Sequence, residues 1–296
     1  MTRMALCLFI ASTLAVAQRK EPLQDEPSSV FRVETRLVEV YASVLDRRGN
    51  PVPNLARDRF QIFDGGRIQP LHVFEGAEER LSCALLLDLS GSMNQFLPVL
   101  KNSVLKFVDQ FRSGEELAVY AFGTSFQLVQ PFTADKKLVK QAVLRTRAQG
   151  TTALFDAVAK VSRDLEARKG KKALVLFTDG NDNASTLTSE GASRRAFSSG
   201  IPVYAIAQGD ALKSKSLIRT QEAVAADTGG LAFQLKNPKQ IARVFAEISR
   251  NLRHTYLLAW KPPQDAGPAW RAIRIVVAGL EGVRIRARRG YFASNL

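Results

Sequence analysis

Residues 84–93 read Ala-Leu-Leu-Leu-Asp-Leu-Ser-Gly-Ser-Met, an apolar run that ends abruptly in an acid, two hydroxyls and a glycine. The apolar residues at 84–87, closed by a turn signal, predict a strand buried on both faces in a parallel sheet. That strand delivers Asp88, Ser90 and Ser92 to the loop beyond it. Alternate spacing lets three short oxygen-bearing side chains converge on one point, and Gly91 is expected to let the backbone turn sharply. Oxygen atoms gathered at the carboxyl end of a parallel strand suit a hard cation such as Mg²⁺. Taken alone, the string also describes an ordinary polar turn after a strand.

Two later stretches weigh against the ordinary turn. Gly150-Thr151-Thr152-Ala153-Leu154 places a threonine after glycine, and Val175-Leu176-Phe177-Thr178-Asp179-Gly180 is a second apolar strand ending in an acid. In this order, Asp-x-Ser-x-Ser, Gly-Thr-Thr-Ala-Leu and Thr-Asp-Gly resemble the metal-ion-dependent adhesion site of von Willebrand factor type A domains. The resemblance implies a metal site of Asp88, Ser90, Ser92, Thr152 and Asp179. It implies that the serines and the threonine coordinate directly, and the acids directly or through water. It further implies Mg²⁺ or Mn²⁺ as the ion, with an open position filled by a Glu or Asp of a protein partner. Asp182, three residues beyond Asp179, reads equally as a residue ordering this loop and as a plain surface turn.

Around these motifs the chain alternates strand and helix. Helices are predicted over 95–111, 135–147, 154–165, 189–198, 217–227 and 238–252. Strands are predicted at 117–122, 127–132 (an edge), 173–177, 203–207 and 231–234. Such βα alternation predicts a doubly wound, mainly parallel sheet with helices on both faces, and ligands in such sheets sit at the carboxyl ends of strands. On either side the pattern is antiparallel β. Strands are expected within 31–45, at 60–63 and 71–74, then at 255–260, 271–278 and 283–289, with tight turns at 46–51 and 64–66. Neither flank has enough residues for a sandwich of its own, so 28–80 and 255–296 are expected to pair into one small antiparallel β-sandwich with the α/β block, 81–254, inserted between them. This arrangement, ending in Arg-x-Gly-Tyr-Phe, is similar to the VWFA-related family of secreted bacterial proteins of acidobacterial type.

At the N-terminus, one basic residue precedes a short apolar stretch, and Ala15-Val16-Ala17 forms an A-x-A cleavage pattern. Residues 1–17 therefore read as a secretory signal peptide, too short for a membrane span, and 18–27 as a polar linker. Secretion into the periplasm or beyond is the expectation. Removing the leader takes Cys7 with it, so Cys83 alone remains, a core thiol in the first buried strand.

The 296 residues carry a formal net charge of +14, from 42 Lys and Arg against 28 Asp and Glu. A positive field attracts acidic partners, either a protein surface or an acidic envelope polymer. No aromatic-interleaved basic motif or zinc-finger spacing points to nucleic acid. Catalytic signatures are missing as well: there is no GxxxxGK[ST] phosphate loop, no GxSxG elbow and no HExxH, and His72 and His254 fall outside the strand-end motifs. The expected function is a secreted, metal-dependent adhesion or protein-binding module rather than an enzyme. A structural envelope protein with an unused metal site and a Mg²⁺-dependent hydrolase are the alternatives.

Overall fold

The computed structural model describes residues 37–76, 79–123, 125–148, 150, 152–179, 184–263 and 269–293. The leader and linker, the strand start read at Phe31, and Asp182 lie outside the described residues. In chain order the elements are β1 (Val38–Leu45), β2 (Phe60–Asp64), β3 (Arg67–Gln69), β4 (Val73–Glu75), β5 (Leu81–Asp88), α1 (Leu97–Asp109), β6 (Glu116–Phe122), β7 (Gln127–Thr133), α2 (Lys136–Arg145), α3 (Leu154–Glu166), β8 (Lys171–Thr178), α4 (Ser189–Ser199), β9 (Val203–Gln208), α5 (Lys215–Thr228), β10 (Leu231–Leu235), α6 (Ile241–Arg253), β11 (Thr255–Trp260), β12 (Trp270–Val277), β13 (Arg284–Arg286) and β14 (Gly290–Phe292).

β5 lies inside a six-stranded sheet of order β10-β9-β8-β5-β6-β7. It runs parallel to both neighbours, with Leu87 opposite Ala121 of β6 and Phe177 of β8. All eight of its residues are buried, which explains why it reads as a continuous apolar run instead of an alternation. The period of two still sorts its side chains. Cys83, Leu85 and Leu87 join a core with Leu100 and Phe107 of α1 and Phe245 and Ile248 of α6. Ala84 and Leu86 face the opposite core, with Leu154 and Val161 of α3, Ala196 of α4 and Leu217 of α5. Helices thus cover both faces of the sheet. Only β7 runs antiparallel, at the edge the sequence assigned to it, with register shifts against β6.

The flanking strands form two four-stranded antiparallel sheets, ordered β13-β1-β11-β4 and β14-β12-β2-β3. Val38, Val40, Phe60, Ile62, Trp260 and Tyr291 share one apolar cluster between them. β1 from the start of the chain pairs with β11 from the end, Val38 opposite Trp260 through Ser43 opposite Thr255. Of the 283–289 strand of the sequence reading only Arg284–Arg286 is strand, and a separate strand follows at Gly290–Phe292. β13 pairs with β1 in one sheet, and β14 pairs with β12 in the other. Between them Arg288 is buried at the crossing, a change of sheet that an alternating Arg-rich pattern does not announce. Gly290 makes the second pairing possible, since a Cβ there would stand 2.4 Å from the Arg271 carbonyl oxygen. β3 is an additional short strand, and β4 begins at Val73 rather than Leu71.

The inserted block is tied to the sandwich at the start of β8. The Lys172 N–H donates to the Tyr41 hydroxyl at 3.2 Å, and Lys172 Nζ pairs with Glu39 Oε2 at 2.9 Å. At its far end α6 passes into β11 through His254 alone, whose Nδ1 lies 2.6 Å from the Arg250 carbonyl oxygen. Among the described residues no helix is long and apolar enough to cross a membrane.

Candidate metal centre

β5 ends on Asp88, which is fully buried and held through both carboxylate oxygens. The Ser90 N–H donates to Oδ1 at 2.9 Å, and the Thr178 hydroxyl, from the end of β8, donates to Oδ2 at 2.7 Å. The chain then turns through a 3₁₀ segment, Gly91–Gln95. This turn brings the Ser90 and Ser92 hydroxyls within 3.0 Å of each other, and Ser92 Oγ donates to Asp179 Oδ1 at 2.9 Å. Asp88, Ser90, Ser92 and Asp179 are therefore linked by hydrogen bonds at the carboxyl ends of two adjacent parallel strands.

The turn begins at Gly91, and in the neighbouring loop Gly150 is left-handed at φ +87°. Its carbonyl oxygen accepts from the Gly91 N–H at 3.1 Å, so the two loops are pinned together by their backbones. Thr152 follows, 4% exposed, at the entry to α3. Its carbonyl accepts from the Ala184 N–H at 3.1 Å. The segment carrying Thr152 is thus tied on one side to the Asp88 loop and on the other to the chain beyond Asp179.

Burial pushes the Asp88 carboxyl above the ordinary carboxylate range, against the Ser90 and Thr178 hydrogen bonds that favour its ionised form. Asp179 is pushed up to about 6, first by burial and then by the negative charges of Asp88 and Asp210, with the Ser92 hydrogen bond opposing. Among the described residues no Lys, Arg or His forms an ion pair with either acid. Two buried carboxylates without a counter-charge fit a cation. With the Ser90 and Ser92 hydroxyls beside them and Thr152 on the adjoining segment, the candidate donor set is all oxygen, the set that hard divalent ions take. Because three of the five candidate donors are hydroxyls, no group of three or more His, Cys, Asp or Glu marks the place among the described residues.

Sequence reasoning missed the residues that hold this arrangement. Thr178 sits beside a singled-out acid, but its bond to Asp88 spans ninety residues of chain. Asp156, in the first turn of α3, accepts from the Thr186 and Leu187 N–H groups, each at 3.0 Å, and so clamps the chain beyond Asp179. Those contacts and the Thr186 hydroxyl hold its carboxyl below the usual range despite the opposing, and largest, effect of desolvation. An acid at a helix start was the available signal. Asp210 enters from the end of β9, where the Ala211 N–H donates to the Asp179 carbonyl at 2.8 Å. Both histidines make local backbone contacts instead: His72 Nδ1 lies 3.0 Å from the Pro70 carbonyl oxygen, and His254 contacts Arg250.

Comparison with known proteins agrees with this architecture. A family model, the von Willebrand factor type A domain, matches residues 83–247. The structure resembles a von Willebrand factor type A protein from Catenulispora acidiphila at 15% identity and a TM-score of 0.51, covering 88% of this chain and 75% of that one. It also resembles the vWF domain of the type V pili tip protein Mfa5 from Porphyromonas gingivalis, at 14% identity and a TM-score of 0.50 over 58% of this chain and 94% of that one. Proximal thread matrix protein 1 from the mussel byssus matches at 17% identity and a TM-score of 0.52, over 73% of this chain and 50% of that one. No curated protein matches the chain in sequence. With more than half of its length matched by the family model and a six-stranded, doubly wound sheet to correspond, the chain belongs to the von Willebrand factor type A domain family.

Proposed function

We propose that this chain is a secreted protein-binding module that captures an acidic side chain of a partner protein through Mg²⁺ or Mn²⁺ held by Asp88, Ser90, Ser92, Thr152 and Asp179. The observation that carries this reading is the hydrogen-bonded line from Thr178 through Asp88 and from Ser90 through Ser92 to Asp179, with two buried carboxylates lacking a cationic partner. A bound divalent ion supplies a partly positive, incompletely filled coordination sphere that attracts an anionic oxygen. The chain's own part is to hold the donors. Thr178 and the Ser90 N–H fix the Asp88 carboxylate, while the Gly91 to Gly150 backbone bond sets the Ser92 loop against the Thr152 segment. A net charge of +14 favours the approach of acidic partners at long range. Pilus tip and byssal matrix proteins share the fold, which is compatible with a role in contacts between proteins.

The test is calorimetric titration of Mg²⁺ and Mn²⁺ into the chain lacking residues 1–17, beside its Asp88→Ala variant. Saturable binding that the variant loses supports the site, and partners captured from envelope extracts with metal but not with chelator complete the reading. A folded wild type that binds neither ion overturns metal dependence and leaves a structural envelope module. Turnover of a phosphomonoester abolished by Asp88→Ala would instead make the protein a Mg²⁺-dependent hydrolase.

A further inference from the structure

Next to the candidate metal loop lies a cleft of about 250 Å³, bounded by the end of β6, the start of β7 and the end of α2. The two sites share one loop. Leu89, which lines the cleft, stands between Asp88 and Ser90, and its N–H donates to the Phe122 carbonyl at 2.8 Å. Leu89, Phe122, Val129 and Ala142 give the cleft apolar surface, and Arg145 and Arg147 also line it. Both arginines are exposed, and neither is in an ion pair among the described residues. No acidic residue lines the cleft among the described residues. The arginine segment is anchored from below, since Lys101 Nζ on α1 donates to the Leu144 carbonyl at 2.8 Å and the Thr146 carbonyl at 2.6 Å. Lys101 holds its proton less tightly than usual, through burial first and the positive charge of Arg147 second, so the cations here crowd one another.

An apolar lining with uncompensated arginines is complementary to a polypeptide in which aliphatic and acidic side chains alternate. We propose that the cleft receives the partner's chain beside its metal-directed carboxylate: an extended acidic segment that places an aliphatic side chain against Leu89 and Phe122 and a second carboxylate on Arg145 and Arg147. The inference rests on the metal-dependent reading above, and it adds the chemistry of the partner. Apolar contact then supplies affinity, and the arginines supply register and rate of encounter.

The experiment is fluorescence anisotropy on the chain lacking residues 1–17, in Mg²⁺ at low ionic strength, with a labelled, end-blocked peptide of three Glu-Leu repeats as the probe. Comparators are three Gln-Leu repeats, hexaglutamate and heparin. The Glu-Leu probe is expected to bind at least about tenfold more tightly than either comparator peptide, and the Arg145→Ala/Arg147→Ala variant to lose about tenfold or more of that affinity. The calorimetric Mg²⁺ titration of the variant should match the wild type, since both arginines are exposed and outside the donor set. Equal binding by the variant, equal binding of hexaglutamate, or tighter binding of heparin would overturn the proposal. The two readings fail separately. An intact Mg²⁺ titration with no peptide binding sinks the cleft alone, whereas arginine-dependent peptide binding with no Mg²⁺ titration sinks the metal site alone.

Discussion

Thr178 Oγ1 donates to Asp88 Oδ2 at 2.7 Å, joining the carboxyl ends of β8 and β5 in the middle of the sheet. Both residues are fully buried, so the bond fixes the carboxylate where water cannot. Thr178→Val keeps the shape and removes the donor. Leaving a buried acceptor short of a partner costs about 1–3 kcal/mol, to be read by urea denaturation. Loss of a bond that orients a metal ligand lowers affinity by about 10–100-fold, to be read by Mg²⁺ calorimetry. An unchanged titration in Thr178→Val would show that Asp88 does not depend on this bond for its position.

Asp156 clamps the chain beyond Asp179 through the Thr186 and Leu187 N–H groups and the Thr186 hydroxyl. Asp156→Ala should speed hydrogen exchange at the Thr186 and Leu187 amides while leaving β5 and β8 protected, because the fault is local. On the metal-binding reading proposed above, Mg²⁺ affinity is expected to fall by about tenfold. Global loss of protection would instead show Asp156 to be a determinant of the fold.

Lys171 is 2% exposed at the start of β8, and its Nζ donates to the Gly76 carbonyl at 3.4 Å. Desolvation brings its pKa down to about 8, with Glu115 and Glu75 opposing. A lysine whose folded pKa lies below its unfolded value binds fewer protons in the native state between the two, so stability rises with pH across that interval. The penalty is fully present below pH 8 and is relieved toward the unfolded value, with an upper limit of about 3 kcal/mol. Denaturant midpoints measured from pH 7.5 to 9.5 should rise in the wild type and lose that slope in Lys171→Met. A parallel slope in the variant would assign the effect elsewhere.

Within the sandwich, Asp64 Oδ2 accepts from Trp260 Nε1 at 2.9 Å and from the Tyr291 hydroxyl at 2.6 Å, while Arg271 Nη1 stands 4.0 Å from Oδ1. These four residues come from β2, β11, β14 and β12, so the cluster crosses from one sheet to the other. Asp64→Ala strands two buried donors, the Trp260 indole and the Tyr291 hydroxyl, removes the negative charge facing Arg271, and should cost about 3–5 kcal/mol in chemical denaturation. Asp64→Leu combined with Arg271→Met should recover much of that loss by removing the charge along with its partner. Failure of the double variant to recover would show that the polar cluster sets the register of the sheets as well as their stability.

Much of the fold is legible in local pattern. A strand buried on both faces has no polar side to display, so 84–87 reads as continuous apolar sequence and β5 is central. In the antiparallel flanks β2 keeps one face out of the core, and its alternation shows at 60–64, whereas β1 is buried on both sides along nearly its whole length. Short strands that change sheets carry no such mark. The end of the chain reads as β-like from 283 to 292, and only its packing against β1 on one side and β12 on the other divides it into β13 and β14.

The candidate site divides in the same way. Sequence by itself determined the family, the succession of strands and helices, and the placing of Asp88 and Asp179 at strand ends, because those properties follow from residue type and spacing along the chain. Only the tertiary structure decided that Ser92 reaches Asp179 across 87 residues, that Thr178 holds Asp88, and that the Gly91 N–H donates to the Gly150 carbonyl. It also decided that Asp64 ties Trp260 to Tyr291. The physical reason is that each such contact depends on ångström-scale register between segments brought together by burial, and a pattern read along one segment contains no term for the position of another.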